Sequence, residues 1–314
     1  MKKRLSAVLV TLVLLAAVLC AAGCVFSSTV PERYYSYQTD LTQGAGRQLY
    51  ERYNGAAVSV EVARYETREF ISGSIFAERK TYTGVYVSED GWLALPAQAF
   101  IPAQYGINNF IYTAKVHRYY VKVTYLAQEG GQSVVKEAEK TFYADPNSAQ
   151  TPVEGNVYHD KFGGVALVKM PVEGRAFVDV SAENCAAPVL GQKLFLFSFL
   201  PQLEVSAATG LISRITVSGQ DFCMPENDLN WLFDYIPEGQ EADYIVQGGF
   251  SVHDIGGMAV DEQGRAAGIV FSRLLAADAE SQSQGEDVYG YACMADISCI
   301  SALLQKAQGG GNAQ

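Results

Sequence analysis

Apolar residues along this chain come in short runs of β-branched and aromatic side chains, cut by Gly, Asp or Pro. AAVSVEVARY (56–65), TGVYVSE (83–89), GWLALPA (91–97) and YYVKVTYL (119–126) read as strands. KLFLFSFL (193–200), GLISRITVSG (210–219), GMAVDEQGRAAGIVF (257–271) and VYGYACMA (288–295) repeat the theme in the second half. The spacing of about 10 residues, with almost no helical periodicity between, predicts an all-β sandwich or pair of barrels. Helices are predicted only at the margins. One is a short helix over residues 43–53. The other covers 297–306, where Ile297, Ile300, Leu303 and Leu304 share a face and Asp296 or Ser298 stands near the start. Residues 279–287 are polar enough to be a loop between strands, and 307–314 read as a frayed tail.

The first residues break this pattern. Lys2, Lys3 and Arg4 precede an apolar run from Leu5 to Val18, the layout of a secretory signal peptide. The run ends in AAGC at 21–24, which resembles a bacterial lipobox, in which Cys24 becomes the lipid-bearing first residue of the mature protein. Cys20 is a poorer candidate because Leu19 precedes it. The competing reading is a plain transmembrane anchor, since the run is nearly long enough to span a bilayer. Either way the body is expected outside the cytoplasm, on the outer face of a membrane in the bacterial envelope. The expected organisation is a leader over 1–23, a tether over 24–46 carrying Tyr34, Tyr35 and Tyr37, and a folded domain over 47–306.

Removing residues 1–23 takes away three positive charges and no negative ones, so the net charge falls from −11 to −14. A surface that acidic discourages nucleic-acid binding and is repelled by anionic headgroups. Cys185, Cys223, Cys293 and Cys299 remain in the body; they allow three disulfide pairings, with buried free thiols as the alternative. No C-x-x-C occurs and the three histidines are far apart, so neither a metal nor a cofactor is expected. An acidic aromatic stretch over 220–244 holds Trp231, Leu232, Phe233 and Tyr235; it reads as a flap buried on its own domain or as a surface that grips a partner.

SVHDIGGMAVDEQGRAAGIVF (251–271) carries the candidate chemistry: a glycine pair, a short strand, a turn at Asp261, Glu262, Gln263 and Gly264, and a second strand. With AAVSVEV (56–62), TGVYVSEDGWLALPAQAF (83–100), GGVALVKM (163–170), ATGLISRITVSG (208–219) and GYACMADISCISALL (290–304), it resembles the protease domain of the HtrA/DegP family in order and spacing. The resemblance spans about residues 47–306. It implies two packed six-stranded antiparallel β-barrels, over about 55–172 and 176–296, with a closing helix over 297–306. The catalytic groups of such a fold meet between the barrels. No room is left after that helix for the family's PDZ domain.

The same resemblance puts Gln98 at the family's histidine, Gly164 at its aspartate and Ile255 at its serine. In that mechanism a serine attacks, a histidine takes its proton and an aspartate fixes the histidine. An amide has no usable basicity and an isoleucine no nucleophile, a loss on the order of a million-fold in rate. The loop His253, Asp254, Ile255 and Gly256 stands where the oxyanion hole is built, with His253 in place of a glycine and Met258 in place of the proline after the pair. The implied protein is therefore a pseudoprotease that binds an extended peptide or an envelope protein. The alternative is an active endopeptidase using non-standard residues: Ser251 with His253 and Asp254, or His159 with Asp160. His117 reads as a surface or satisfied core residue. A third reading is a purely architectural body.

Overall fold

A computed structural model describes residues 44–309 apart from 54, 69–74, 103, 108–109, 130–131, 146, 161–163, 173–174, 201–208, 220–242, 251 and 275–288. Contacts divide the chain after Arg47, and the β body lies wholly in the second unit. The leader, the tether up to residue 43, Cys24, Trp231, Phe233, Tyr235, Cys223 and Ser251 lie outside the described residues.

The all-β expectation holds. The first lobe comprises β1 (Ala57–Thr67), β2 (Phe76–Tyr86), β3 (Trp92–Pro96), a hairpin of β4 (Gln104–Ile107) and β5 (Phe110–Thr113), then β6 (Lys115–Glu129), β7 (Gln132–Tyr143), β8 (Val157–Asp160) and β9 (Val165–Lys169). The second comprises β10 (Lys193–Leu200), β11 (Thr209–Gly219), β12 (Tyr244–Phe250), β13 (Met258–Val260), β14 (Ala266–Leu274) and β15 (Tyr289–Asp296). Helix α1 (Ala45–Tyr53) precedes them, and α2 (Ile297–Gly309) closes the chain three residues later than its apolar face predicts.

Only the second lobe is the expected closed six-stranded barrel, in the order β10-β11-β12-β15-β14-β13. The first is an open seven-stranded sheet, β7-β6-β1-β2-β3-β9-β8. The strand count differs from the expected six because of β7, paired along its whole length with β6 from Arg118↔Tyr143 to Glu129↔Gln132. The ribbon of β6 and β7 forms one end of the sheet. Its outer strand has Lys136, Glu137, Glu139 and Lys140, and charged side chains on an edge oppose further strand pairing.

Each strand has a physical origin in its pattern. In β6, Tyr119, Val121 and Val123 are buried while Tyr120, Lys122 and Thr124 are partly exposed, the period of a half-buried strand. All five residues of β3 are buried, which suits its central place between β2 and β9. The β13–β14 turn forms as predicted. Asp261 Oδ1 accepts the N–H groups of Gln263 (3.0 Å) and Arg265 (2.8 Å), and Gly264 supplies φ +82°. Val60, Leu93 and Leu95 of the first lobe join Leu194, Leu196 and Ile255 of the second in one continuous apolar cluster. The lobes therefore share a core, and the seam between them is dry at its base.

Candidate functional site

On the first lobe, β3 ends at Pro96 and runs into a 3-10 turn, Ala97–Ala99, that presents Gln98. Backbone acceptors fix this turn from several sides. Ala97 N–H donates to the Gly164 carbonyl (2.9 Å), and Tyr119 hydroxyl donates to the Phe100 carbonyl (2.9 Å). Arg64 of β1 donates through Nη1 to the carbonyls of Gln98 (3.1 Å) and Ile101. The Arg64 guanidinium is itself buried and paired with Glu78, with Glu66 at 3.8 Å beyond, and Glu66 takes Arg68 at 2.8 Å. Burial works against charge on Glu78, but Arg64 and then Lys80 outweigh it and hold the carboxyl below its ordinary range. Burial pushes the Tyr119 phenol up to about 12, so it stays a neutral donor to the turn.

On the second lobe, a 3-10 turn at Val252–Asp254 leads into Ile255, Gly256 and Gly257. Asp254 Oδ1 accepts the Ser198 hydroxyl of β10 at 2.6 Å, with both residues buried. Gly256 N–H donates to the Val270 carbonyl (2.7 Å), Val270 N–H to the Gly257 carbonyl (2.9 Å), and Gly257 N–H to the Asp254 carbonyl (2.9 Å). The glycine pair is explained by packing alone. Gly256 sits at φ +95°, and a Cβ there would lie 1.9 Å from the Thr83 carbonyl oxygen of the other lobe. At Gly257 a Cβ would lie 2.8 Å from the Phe197 carbonyl.

Thr83 of β2 joins the halves. Its N–H donates to the Ile255 carbonyl (2.9 Å), its hydroxyl donates to the His253 carbonyl, and that same oxygen accepts Phe199 N–H (3.0 Å). Gln98 Nε2 crosses the seam to the Phe271 carbonyl (3.1 Å). The three positions singled out in the sequence thus converge. Gly164 holds the turn of Gln98, Gln98 reaches Phe271, and Val270 beside it is bonded to the glycines that follow Ile255. Sequence reading did not single out Thr83, Ser198 or Arg64. Thr83 opens the segment 83–100 that carries the resemblance, but nothing there set it apart from its neighbours. Ser198 and Arg64 had no signal, since their partners are 56 and 34 residues away.

The chemistry open to this arrangement is narrow. Ile255 is 7% exposed and belongs to the shared apolar cluster. Ser198 is 1% exposed, and its neighbour is a carboxylate, a weak base beside a hydroxyl no substrate reaches. His159 and Asp160 are on β8, paired with Ala166 and Val165 at the edge of the first sheet. His117 Nε2 is 3.1 Å from Thr67 Oγ1, a satisfied residue on β6. Cys293 is disulfide-bonded, with its partner outside the described residues, while Cys185 and Cys299 are free thiols. Burial and the neighbouring Asp243, Asp160 and Asp296 push the Cys299 thiol up to about 11, so it is a poor nucleophile.

Three solved structures illustrate what this chain is similar to. The MamO protease domain from Magnetospirillum magneticum is 14% identical, with TM-score 0.45 over 81% of this chain and 97% of that one. Deg5 is 14% identical, with TM-score 0.47 over 85% and 95%. The Rv3671c protease from M. tuberculosis is 16% identical, with TM-score 0.45 over 85% of each chain. No protein-family model and no curated protein matches the sequence.

Proposed function

We propose that this chain is an inactive relative of the HtrA/DegP-type trypsin-fold proteases that binds an extended peptide or a protein segment at the seam between its lobes. In this reading it is exported and held on the outer face of the membrane by lipid on Cys24, whose acyl chains anchor the acidic body without headgroup attraction. The observation that carries the loss of catalysis is position 255. An alkyl side chain stands there, buried in the core, with its carbonyl bonded across the seam to Thr83.

Binding is supported by β14. It pairs with β13 from Ala266 to Ile269, Val270 bonds the glycine loop, and beyond it the strand runs to Leu274 beside the seam with β15 along its other side. A strand edge of this kind takes an extended segment through main-chain hydrogen bonds. The Gln98 amide already takes the Phe271 carbonyl, so a segment docking there either displaces Gln98 or begins beyond it.

The alternative, an endopeptidase built on Ser251, His253 and Asp254, has two facts against it. The Asp254 carboxylate accepts a hydrogen bond from Ser198, and the His253 carbonyl is fixed by Thr83. A fluorophosphonate probe tests the matter. The expected result is no adduct on the native protein and an adduct at residue 255 in the folded double variant Gln98→His/Ile255→Ser. An adduct on any serine of the native protein, abolished by denaturation, overturns the proposal.

A further inference from the structure

A second concave site lies away from the seam. The β2–β3 turn, the chain linking the lobes and α2 line a half-open cavity of about 700 Å3, and neither Gln98 nor Ile255 lines it. Its volume falls within the roughly 300–1,000 Å3 of small-molecule pockets. The interior is apolar, built from Val87, Val180, Ala186, Ile297 and Leu304, with Phe177 at 37% exposure.

The charges around it are of one sign. Glu89, Asp179 and Asp296 line the cavity, and no Lys, Arg or His does. Asp179 is held in place by the Ser181 N–H (2.9 Å) and the Asn184 amide (2.8 Å), with Arg52 acting on it from α1. These hydrogen bonds, the Ser181 backbone first, keep its carboxyl below the ordinary range, so it is ionised at neutral pH. Asp296 caps α2 by accepting Ser298 N–H (2.8 Å) and also accepts the Tyr244 hydroxyl (3.1 Å). A full negative charge at that cap outweighs the half-charge of the helix N-terminus. Among the described residues no group of three or more His, Cys, Asp or Glu could hold a metal ion. Carboxylates spread round an apolar interior suit an organic cation better than an inorganic one.

We propose that this cavity binds a small apolar amine, its ammonium set among Glu89, Asp179 and Asp296 and its hydrocarbon body against Val180, Ile297 and Leu304. The ligand class follows from the two features together. An anionic or neutral molecule of the same shape gains the apolar contacts but meets the wrong potential or none. Alkali cations gain the potential but leave the interior unfilled.

Cys185 lines the cavity and reports on it without a new label. The full-length protein is treated with methanethiosulfonates carrying an ammonium, a methyl or a sulfonate group. Cys185 modification is followed by peptide mass spectrometry and normalised to the same reagent on urea-unfolded protein. The expected order is ammonium, then methyl, then sulfonate, with roughly tenfold or more between the extremes at low salt and a smaller ratio in folded Glu89→Gln. 2-Phenylethylamine is expected to slow labelling at concentrations at least tenfold below those needed of 2-phenylethanol or 3-phenylpropionate. In Ala187→Trp, a filling change at an exposed lining residue, that protection should be lost while the circular dichroism spectrum is kept. Equal normalised rates for the three reagents overturn the proposal. So does protection by the alcohol or the carboxylate equal to the amine's, or protection by a basic peptide and by no small amine.

Discussion

The two halves of the seam are held in place by different physics. On the first lobe a charged residue does the holding. Arg64 reaches from β1 to the carbonyls of Gln98 and Ile101, and Glu78 and Glu66 hold Arg64. On the second lobe the loop of Ile255 is held by backbone. Gly256, Gly257 and Val270 exchange hydrogen bonds, and one neutral-to-carboxylate contact, Ser198 to Asp254, pins the turn before them. The turn of Gln98 has the Arg64 brace in addition to the main-chain bond of Ala97 to Gly164. The closed barrel supplies neighbouring strands on both sides, so main-chain contacts suffice. The close backbone approaches at 256 and 257 are by themselves enough to require glycine at both positions.

The contrast is broken most severely at Gly256. An alanine there must take φ +95° and put its Cβ 1.9 Å from the Thr83 oxygen, so the lobes must part or the loop must flip. Gly256→Ala is expected to lose about 4 kcal/mol, the sum of backbone strain and overpacking. Urea unfolding measures it. A loss under about 1 kcal/mol would mean that the seam is not closed at this point.

Next comes the brace. Arg64→Met keeps the length of the side chain but takes from Glu78 its nearest cation, leaving Lys80 at 3.4 Å and Arg68 at 3.9 Å, and removes two hydrogen bonds from the turn of Gln98. Breaking a buried pair from one side costs about 3 kcal/mol, and here Glu78 is partly exposed, which trims the figure. The double change Arg64→Met/Glu78→Leu should recover part of the loss, because it also removes the carboxylate that has lost its nearest partner. A double variant less stable than the single would contradict the brace.

What was legible in the sequence divides along the same line. In the second lobe β10, β11, β13, β14 and β15, the turn at Asp261 and Gly264 and the closing helix are written in short apolar runs with local turn chemistry and appear where expected, whereas β12 was not predicted. The first lobe was read only where it is apolar. The outer half of β2 begins at Phe76, and β7 carries alternating Lys and Glu, so neither produced a hydrophobic signal. Those strands are set by cross-strand pairs such as Lys122 with Glu137 at 2.7 Å, which no single segment reveals. The two-lobed β architecture was legible, and the strand count of the first lobe was not, for that reason. Gln98, Gly164 and Ile255 were found through order along the chain, whereas Thr83, Arg64 and Ser198 act through partners remote in sequence.

Ser198→Ala probes the side-chain bond from β10 to the turn that the Thr83 hydroxyl also holds from the first lobe. It removes a 2.6 Å donor from a buried carboxylate, a change of about 2 kcal/mol. Thermal unfolding measures the loss, and amide hydrogen exchange locates it. The expectation is faster exchange confined to residues 252–257, with the turn of Gln98 unchanged. Exchange rising equally at both turns would show that the halves are not held independently.

The smallest effect separates the halves by pH. Glu78 has a folded pKa below its ordinary value of 4.5, because the pull of Arg64 and Lys80 exceeds the penalty of burial. A carboxyl depressed in this way contributes stability that is fully present above the unfolded value and is lost as pH falls through the folded one. Glu78→Gln removes the contribution, so the native protein should exceed the variant by a constant margin above about pH 5 and converge on it as the pH drops well below 4.5. With a fifth of the side chain exposed, that margin is discounted for screening to on the order of 1 kcal/mol, and it should shrink further in molar salt. Urea unfolding of both proteins from pH 3 to pH 7 reads it directly. A margin that stays flat down to pH 3 would mean that the ion pair is not what holds Arg64 beneath the turn, leaving its contacts with the Gln98 and Ile101 carbonyls to do so unaided.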